Sequence, residues 1–476
     1  MTESKKPSHG LIGLGTMGAN LALNIAEKGF PIAVFNRTAS TTHAFFESSG
    51  ELAAKIVPTE TLEAFVKAIA PPRNIILMVP AGEVVDGQIE ALRPLLSEGD
   101  LIIDAGNANF HDTNRRAEEA ENNIESFLGI GVSGGEEGAR HGPSIMGGGD
   151  RAAWDRVSNM LTAIAAPYNG EPCAAYMGTG GAGHYVKMVH NGIEYADMQM
   201  IAEAYGMMRD GYGMTASEIG DVFARWNEGP LQSYLIEISS HVAKAADPET
   251  GKPVLDIIVD SAGQKGTGRW TAIEALHRAS PVTSIDAAVA ARNFSSRRSE
   301  RQRGEALFGA APKPMERDDQ SLEQLEHALL AGKIACYAQG FGMLTTASDD
   351  FDWKLPLPEI ARVWRDGCII RSAMLDDMAT ALENNAQDNL MYAPFFADLM
   401  GKHHNSLRNV VSAAVLSGNP APALSAALSY FDTMRTERGT ANMIQGQRDF
   451  FGAHSFERFD ADGAHHGPWG MNNSSS

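Results

Sequence analysis

Cysteine is scarce in this chain: Cys173, Cys336 and Cys368 are the only three in 476 residues, far apart and without a C-x-x-C spacing. That excludes a disulfide framework and gives no sign of a zinc site, so all three read as buried free thiols and no metal is expected. Basic charge is short as well, with 39 Lys and Arg against 59 Asp and Glu and a formal net charge of −20. Broad binding to nucleic acid or to an anionic membrane needs a basic surface, so both partner classes are set aside. An anionic substrate must instead meet a local cluster of cations. Long apolar runs are missing too, and the N-terminal Met-Thr-Glu-Ser-Lys-Lys is not followed by the hydrophobic region of a secretory signal. A cytoplasmic location is the expectation. What is present is an ordinary globular composition, 43% hydrophobic, in a chain long enough for about two or three domains.

Residues 9–18 hold G-x-G-x-x-G at Gly13, Gly15 and Gly18, after a short apolar lead-in and before an amphipathic run, Ala19 to Lys28, that ends at a capping Gly29. Pro31 to Phe35 then reads as a second strand. This is the β-α-β order in which a glycine turn brings backbone close to a pyrophosphate at the positive end of a helix. The second strand ends in Asn36-Arg37-Thr38, where an NAD site usually has a carboxylate for the ribose 2′-hydroxyl. With no carboxylate there, and a planar donor fork on Arg37, NADP is favoured over NAD. Further strands at Asn74 to Val79, Asp100 to Asp104 and Ser126 to Val132, separated by the helical stretches Thr59 to Ala70 and Val84 to Leu96, define an α/β Rossmann-type, doubly wound domain over residues 1–180. Its strands end in Val79-Pro80-Ala81-Gly82, Ala105-Gly106-Asn107 and Ser133-Gly134-Gly135, where such sheets bind ligands. The segment Glu171 to Met177 is expected to close the sheet.

From Gly181 to about Arg435 strand signals nearly vanish and a large all-α domain, 181–435, is predicted. It opens on Gly-His-Tyr-Val-Lys-Met-Val-His-Asn-Gly-Ile-Glu-Tyr, residues 183–195. As a helix this puts Lys187, His190, Asn191 and Glu194 at i, i+3, i+4 and i+7 on one face, flanked by Val186, Met188, Val189 and Ile193, so the polar stripe is partly enclosed. An internal echo suggests a duplication: Ile201–Met208 resembles Tyr337–Leu344, and Trp226-Asn-Glu-Gly resembles Trp364-Arg-Asp-Gly. In that register Lys187, His190 and Glu194 correspond to Glu323, Glu326 and Leu330, so the polar set is confined to one copy. Residues 260–270, Asp-Ser-Ala-Gly-Gln-Lys-Gly-Thr-Gly-Arg-Trp, surround Lys265 and Thr267 with glycines, as a loop does that offers N–H groups, a hydroxyl and an ammonium to one anion. Walker A spacing is absent, which points to a substrate phosphate. The tail, 436–476, carries Gln447-Arg448-Asp449-Phe450-Phe451-Gly452-Ala453-His454; it is too short to fold alone and is expected to dock on a partner subunit. Met471 to Ser476 are expected to be disordered.

Taken together these motifs resemble the decarboxylating 6-phosphogluconate dehydrogenases, from about Gly10 to His454. The most specific are Ile258 to Trp270 (I-x-D-x-A-G-Q-K-G-T-G-x-W) and K-M-V-H-N-G-I-E-Y at Lys187 to Tyr195, joined by Asn36-Arg37-Thr38, I-D-A-G-N at Ile103 to Asn107, G-V-S-G-G-E-E-G-A-R at Gly131 to Arg140, C-I-I-R-S at Cys368 to Ser372 and the Q-R-D-F-F-G-A-H tail. The resemblance implies oxidation of 6-phosphogluconate by NADP with release of CO2 to ribulose 5-phosphate. It implies Lys187 as general base and then acid, Glu194 as the acid, and Asn107, Ser133, Gly134, Gly135, His190 and Asn191 around the sugar acid. It implies Tyr195, Lys265, Thr267, Arg292 and Arg448 on the phosphate with His454 nearby, the last two reaching across a homodimer. The cofactor set is Gly13, Gly15, Thr16, Met17, Gly18, Asn36, Arg37, Thr38, Val79 and Asn107; the catalytic set is Lys187, His190, Asn191 and Glu194. Departures from the family pattern are Pro80, where relatives often have lysine, Gly15 in place of a common alanine, and the lack of a terminal H-T-N-W.

A lysine base must be neutral, and bringing its pKa from ~10.4 to ~7 to 8 takes about 4 kcal/mol of differential environment. Residues at i and i+7 lie about 10 Å apart along a helix, enough to bracket a sugar chain from C3 to C1. An NAD(P)-dependent 3-hydroxyacid dehydrogenase of the β-hydroxyacid group would share the fingerprint and a lysine, but would not need Lys265, Arg292 and Arg448. A non-enzymatic NADP-binding scaffold would be expected to have lost Lys187 and Glu194, and both are present.

Overall fold

The computed structural model describes residues 6–384 and 388–469; Met471 to Ser476, expected to be disordered, lie outside the described residues. Strands β1 (His9–Ile12), β2 (Ile32–Phe35), β3 (Ile56–Thr59), β4 (Asn74–Leu77), β5 (Leu101–Asp104), β6 (Ser126–Val132) and β7 (Ile145–Gly149) are followed by a short pair, β8 (Pro167–Tyr168) with β9 (Glu171–Pro172), and by β10 (Ala174–Gly178). The main sheet has the order β10-β7-β6-β5-β4-β1-β2-β3. From β3 to β6 it is parallel, His9 lying between Ile32 and Asn74. The edge is not: β7 runs antiparallel to β6 and carries β10 parallel to itself. Alternate residues serve opposite faces. Leu11, Val34, Ile76 and Ile103 point into one buried cluster, and Ile12, Ala33, Ile75, Leu77 and Ile102 into another, as period-2 side chains of a sheet covered on both sides must. Each such burial is worth roughly 1.5–3 kcal/mol.

Helices α1 (Thr16–Glu27), α2 (Ala39–Ser48), α3 (Leu62–Ala68), α4 (Glu83–Leu92), α5 (Phe110–Glu121), α6 (Gly135–His141) and α7 (Arg151–Ile164) alternate with the strands. Beyond β10 the chain is helical: α8 (Ala182–Gly206), α9 (Ala216–Trp226), α10 (Tyr234–Lys244), α11 (Val254–Ile257), α12 (Thr267–His277), α13 (Thr283–Ser295), α14 (Arg298–Phe308), α15 (Ser321–Asp350), α16 (Leu357–Val363), α17 (Leu375–Asn384), α18 (Pro394–Ser417), α19 (Pro422–Met434) and α20 (Ala441–Gly452). Among the described residues no helix is long and apolar enough to cross a membrane. Two compact units divide between Ala427 and Leu428.

In the first unit α8 is enclosed on nearly every side, by β6 and β7 and by α12, α13 and α15. Glycine makes that approach possible. A Cβ on Gly131 of β6 would overlap the Lys187 side chain, and one on Gly148 of β7 would overlap the Gly183 backbone. Where α8 meets α15, Asp197 and Lys333 form a buried ion pair of 2.9 Å. Ser233 and Ser372, each just ahead of a helix, pair in an isolated antiparallel bridge. Trp226 and Trp364, at the ends of α9 and α16, are both fully buried.

In the second unit Asp449, on α20, holds the following segment against the helix. Its carboxylate accepts bonds from Ser455 N–H, Gly467 N–H and the Trp469 indole, with His466 Nδ1 at 2.6 Å. Those donors keep it well below the usual carboxylate range, the Gly467 N–H most of all.

Candidate active site

The turn between β1 and α1 forms one wall of a cleft of ≈ 700 Å³. Gly13 takes φ +100° with the Met78 carbonyl against it, and a Cβ on Gly18 would overlap the Gly13 carbonyl, so both glycines are required. Gly15 faces open space, so a Cβ there would meet nothing and this glycine is not required by the packing. No side chain caps α1, so its first N–H groups are left for a ligand, the arrangement that binds pyrophosphate. Gly15, Thr16, Met17 and Gly18 line the cleft, facing Val79 to Gly82 and Asn107. At the end of β2 the Asn36 amide is engaged within the fold: its Oδ1 accepts Leu14 N–H at 3.1 Å and its Nδ2 donates to the Thr38 carbonyl at 3.4 Å. Arg37 is exposed beside it with no carboxylate at 36–38. These features fit a dinucleotide carrying a 2′-phosphate.

A second cleft, of ≈ 570 Å³, shares Met17, Asn107, Lys265 and Thr267 with the first. The two are therefore continuous. Lys187, 5% exposed, lines it from α8. Its Nζ donates to Ser133 Oγ at 2.9 Å and lies 3.2 Å from His190 Nδ1, while His190 Nε2 lies 3.2 Å from Ser133 Oγ. Nδ1 also lies 3.1 Å from Asn191 Oδ1, which only accepts, so the imidazole proton sits on Nδ1 and the Ser133 hydroxyl donates to Nε2. Burial lowers the lysine pKa to about 8 although the Glu194 carboxylate pulls it up, and burial, then Lys187, holds His190 well below its usual value. A neutral amine has two N–H bonds and one lone pair. One N–H bond goes to Ser133 Oγ, and the amine lies against the cleft that Lys187 lines. The His190 ring is itself held edge-on to Trp364, centroids 5.8 Å apart, with the Asn191 amide 3.1 Å from its Nδ1.

Glu194, a turn further on, places Oε2 3.8 Å from His190 Nδ1. Removal from water raises its pKa, against the pull of Lys187 and Arg292. The same cleft takes in Gly134, Gly135, Tyr195, Lys265, Thr267 and Arg292. Arg292 lies over the Tyr195 ring at 3.6 Å and donates to the Gly263 carbonyl at 3.2 Å, so its fork is fixed before any ligand arrives. Helix α12 begins at Thr267 after Gly266, φ +99°, again without a side-chain cap, which adds free N–H groups beside two cations. Sequence reading overlooked Met198, Gln264 and Ile369 in this lining. Met198 had a signal, since i+11 continues the stripe of i, i+4 and i+7 from Lys187; Ile369 sat unremarked inside a quoted motif. Arg448 and His454 belong to the second unit, where Arg448 donates to Gln445 Oε1 at 3.0 Å and His454 stands edge-on to Phe451.

A glycine turn feeding a helix N-terminus, continuous with a cleft that holds a buried lysine of lowered pKa, is the site of a nicotinamide-dependent dehydrogenase. Residues 8–178 match the model of the NAD binding domain of 6-phosphogluconate dehydrogenase, and residues 183–469 that of its C-terminal domain. The chain is 46% identical over 468 residues to the NADP(+)-dependent, decarboxylating 6-phosphogluconate dehydrogenase of Bacillus subtilis, covering 98% of this chain and 99% of that one. It is 44% identical to the NAD(+)-dependent, decarboxylating enzyme of the same organism, covering 97% and 99%. Among solved structures it is similar to 6-phosphogluconate dehydrogenase of Plasmodium falciparum, described in apo form and in complex with NADP+ and with 6-phosphogluconate: TM-score 0.94, 40% identity, 97% of this chain and 100% of that one. The chain belongs to the 6-phosphogluconate dehydrogenase family.

Proposed function

We propose that this protein catalyses the oxidative decarboxylation of 6-phospho-D-gluconate to D-ribulose 5-phosphate and CO2 with reduction of NADP. The observation that carries the reading is Lys187, buried, its pKa lowered to about 8, donating to Ser133 Oγ and lying 3.2 Å from His190 Nδ1 in the cleft beside the glycine turn. Gly15, Thr16, Met17 and Gly18 would hold the pyrophosphate and Arg37 the 2′-phosphate, with Gly13 shaping the turn, Asn36 and Thr38 supporting it, and Val79 and Asn107 toward the nicotinamide. Bound NADP supplies the acceptor for the hydride of C3. Lys187 takes the proton of the C3 hydroxyl as general base. The ammonium so formed then donates to the C3 oxygen as it gains the electrons of the breaking C1–C2 bond, and CO2 leaves. Glu194, whose pKa burial raises, then gives a proton from its acid form to the former C2 of the enediol while Lys187 takes back the proton on the C3 oxygen, which leaves the ketone. Ser133, Gly134, Gly135, His190, Asn191 and Asn107 orient the sugar acid, and Tyr195, Lys265, Thr267 and Arg292 receive its phosphate. The test is the initial rate with 6-phosphogluconate against unphosphorylated gluconate: a preference of at least ~100-fold in kcat/KM is expected from two or more charge-assisted bonds. Equal rates would favour a 3-hydroxyacid dehydrogenase.

We also infer a homodimer in which Arg448 and His454 complete the partner's site, in a cytoplasmic enzyme whose three thiols stay free. Supporting this, Phe451 and Met443 on α20, and Leu307 and Phe308 on α14, are largely exposed. Mixing Lys187→Ala with Arg448→Ala chains after subunit exchange is expected to restore activity that neither has alone, since the mixed dimer contains one complete site. No recovery would place Arg448 in its own subunit's site. The helical half we read as an internal duplication. Its register equates Asp197 with Lys333, and those two residues meet in the buried ion pair, as equivalent positions near a pseudo-two-fold axis do.

A further inference from the structure

A line of buried polar groups runs between the two clefts and takes no part in the steps above. At the end of β5, Asp104 is fully buried; its Oδ1 accepts the Gly106 N–H at 3.1 Å and its Oδ2 lies 3.3 Å from Arg116 Nη1. Arg116, on α5 and 2% exposed, also donates to Asp86 Oδ1 at 2.7 Å and to the Gly82 carbonyl at 3.0 Å. On the other side the Gly106 carbonyl faces His184 Nε2 at 3.1 Å, and His184 Nδ1 lies 2.7 Å from the Thr113 hydroxyl, again on α5. A carbonyl only accepts, so the His184 proton is on Nε2 and Thr113 donates to Nδ1. His184 is 1% exposed, and a Cβ at Gly129 would press on its Nδ1 at 2.8 Å, so the ring has one seat. Burial keeps it neutral.

The ends of this line matter. Gly82 and Gly106 sit in the two loops that wall the nucleotide cleft, and Asn107, next to Gly106, lines both clefts. His184 stands on α8 three residues ahead of Lys187, one turn away. The Gly106 peptide is thus clamped on both sides, N–H by Asp104 and carbonyl by His184, between the sheet and the helix that carries the base.

We propose that His184, backed by Asp104 and Arg116, is a positioning residue that fixes the Gly106 peptide, and with it Asn107, relative to Lys187, so that the cofactor wall and the base move as one body. This rests on the dehydrogenase reading. An ångström of slack between hydride acceptor and base can cost about 10²-fold in rate without loss of binding.

The test compares His184→Leu, which loses both bonds, with His184→Gln, whose amide can replace Nε2 toward Gly106; neither leaves a bare charge. Three quantities are read: amide hydrogen exchange over residues 105–109 in the free protein, Kd for NADP by fluorescence titration, and kcat with the isotope effect of 3-deuterated 6-phosphogluconate. His184→Leu should exchange about tenfold faster there, as loss of one hydrogen bond allows, keep Kd within about threefold, and lose about 10- to 100-fold in kcat with a larger isotope effect. His184→Gln should recover most of each. A His184→Leu protein that melts earlier but keeps kcat and isotope effect, or a His184→Gln protein as impaired as the leucine one, overturns the proposal. If the wild-type protein itself does not turn over, the dehydrogenase reading fails, while the exchange comparison still decides whether His184 holds the loop.

Discussion

Replacing Lys187 by methionine is expected to abolish measurable turnover and, at the same time, to make the folded chain more stable at neutral pH. The first half follows from the loss of the base and of the donor to the C3 oxygen, each a proton-transfer role worth about 10²–10⁴-fold. The second follows from burial. A lysine whose pKa falls to about 8 from 10.5 carries a penalty of about 3 kcal/mol at pH 7, which methionine, of similar length and apolar, does not. Part of the gain is offset by the two bonds to Ser133 and His190, although these two side chains lie 3.2 Å apart and can still pair. The pH dependence has a definite sign. Because the folded pKa lies below the unfolded one, the unfolded chain holds more protons between about pH 8 and 10.5, so the wild type gains stability relative to the variant as pH rises through that window, and the penalty is gone above it. Denaturant melts of both proteins at pH 7 and pH 10 check this. A variant less stable at pH 7 would mean that Lys187 is not held against its charge.

The Glu194→Gln protein should separate the chemistry in time. In the proposed assignment hydride loss from C3 and the release of CO2 need Lys187, whereas Glu194 acts only on the enediol that follows. The amide keeps the shape of the carboxyl group and cannot release a proton. Rapid mixing should therefore show a burst of about one NADPH per site near the wild-type rate, then steady turnover lower by about 10²–10⁴-fold. Absence of the burst would move Glu194 to the oxidation step. Its withdrawal from water, which raises its pKa, suits the carboxyl group to the proposed role of acid, as does an imidazole 3.8 Å away whose own pKa is held well below the usual value.

Local features were legible in the sequence. The glycine turn, the Asn-Arg-Thr strand end and the stripe Lys187, His190, Asn191, Glu194 each lie within a few residues of chain, where dihedral freedom and helical period leave a direct mark. Features that need two distant segments were harder. Nothing in Ile145–Gly149, with its three glycines, alternates like a strand, yet it forms β7, because Gly147 must pass the Trp154 ring and Gly148 the start of α8. Hence the antiparallel edge of the sheet went unread. The stripe is also more deeply enclosed than its flanking residues implied, with His190 wholly buried, since Ser133 and Trp364, distant in the chain, close on its ring. Ser133 was noted for the glycines after it, while its bond to Lys187 joins residues 54 positions apart. His184 stood inside the most closely read stretch and was passed over, because its partners, Gly106 and Thr113, are brought to it only by the fold.

The most direct measurement is the ratio of CO2 trapped to NADPH formed when the purified protein is given 6-phosphogluconate and NADP. One CO2 for each NADPH, with both lost in Lys187→Met, is the expected result. NADPH without CO2, or neither, would contradict the assignment of this site to oxidative decarboxylation.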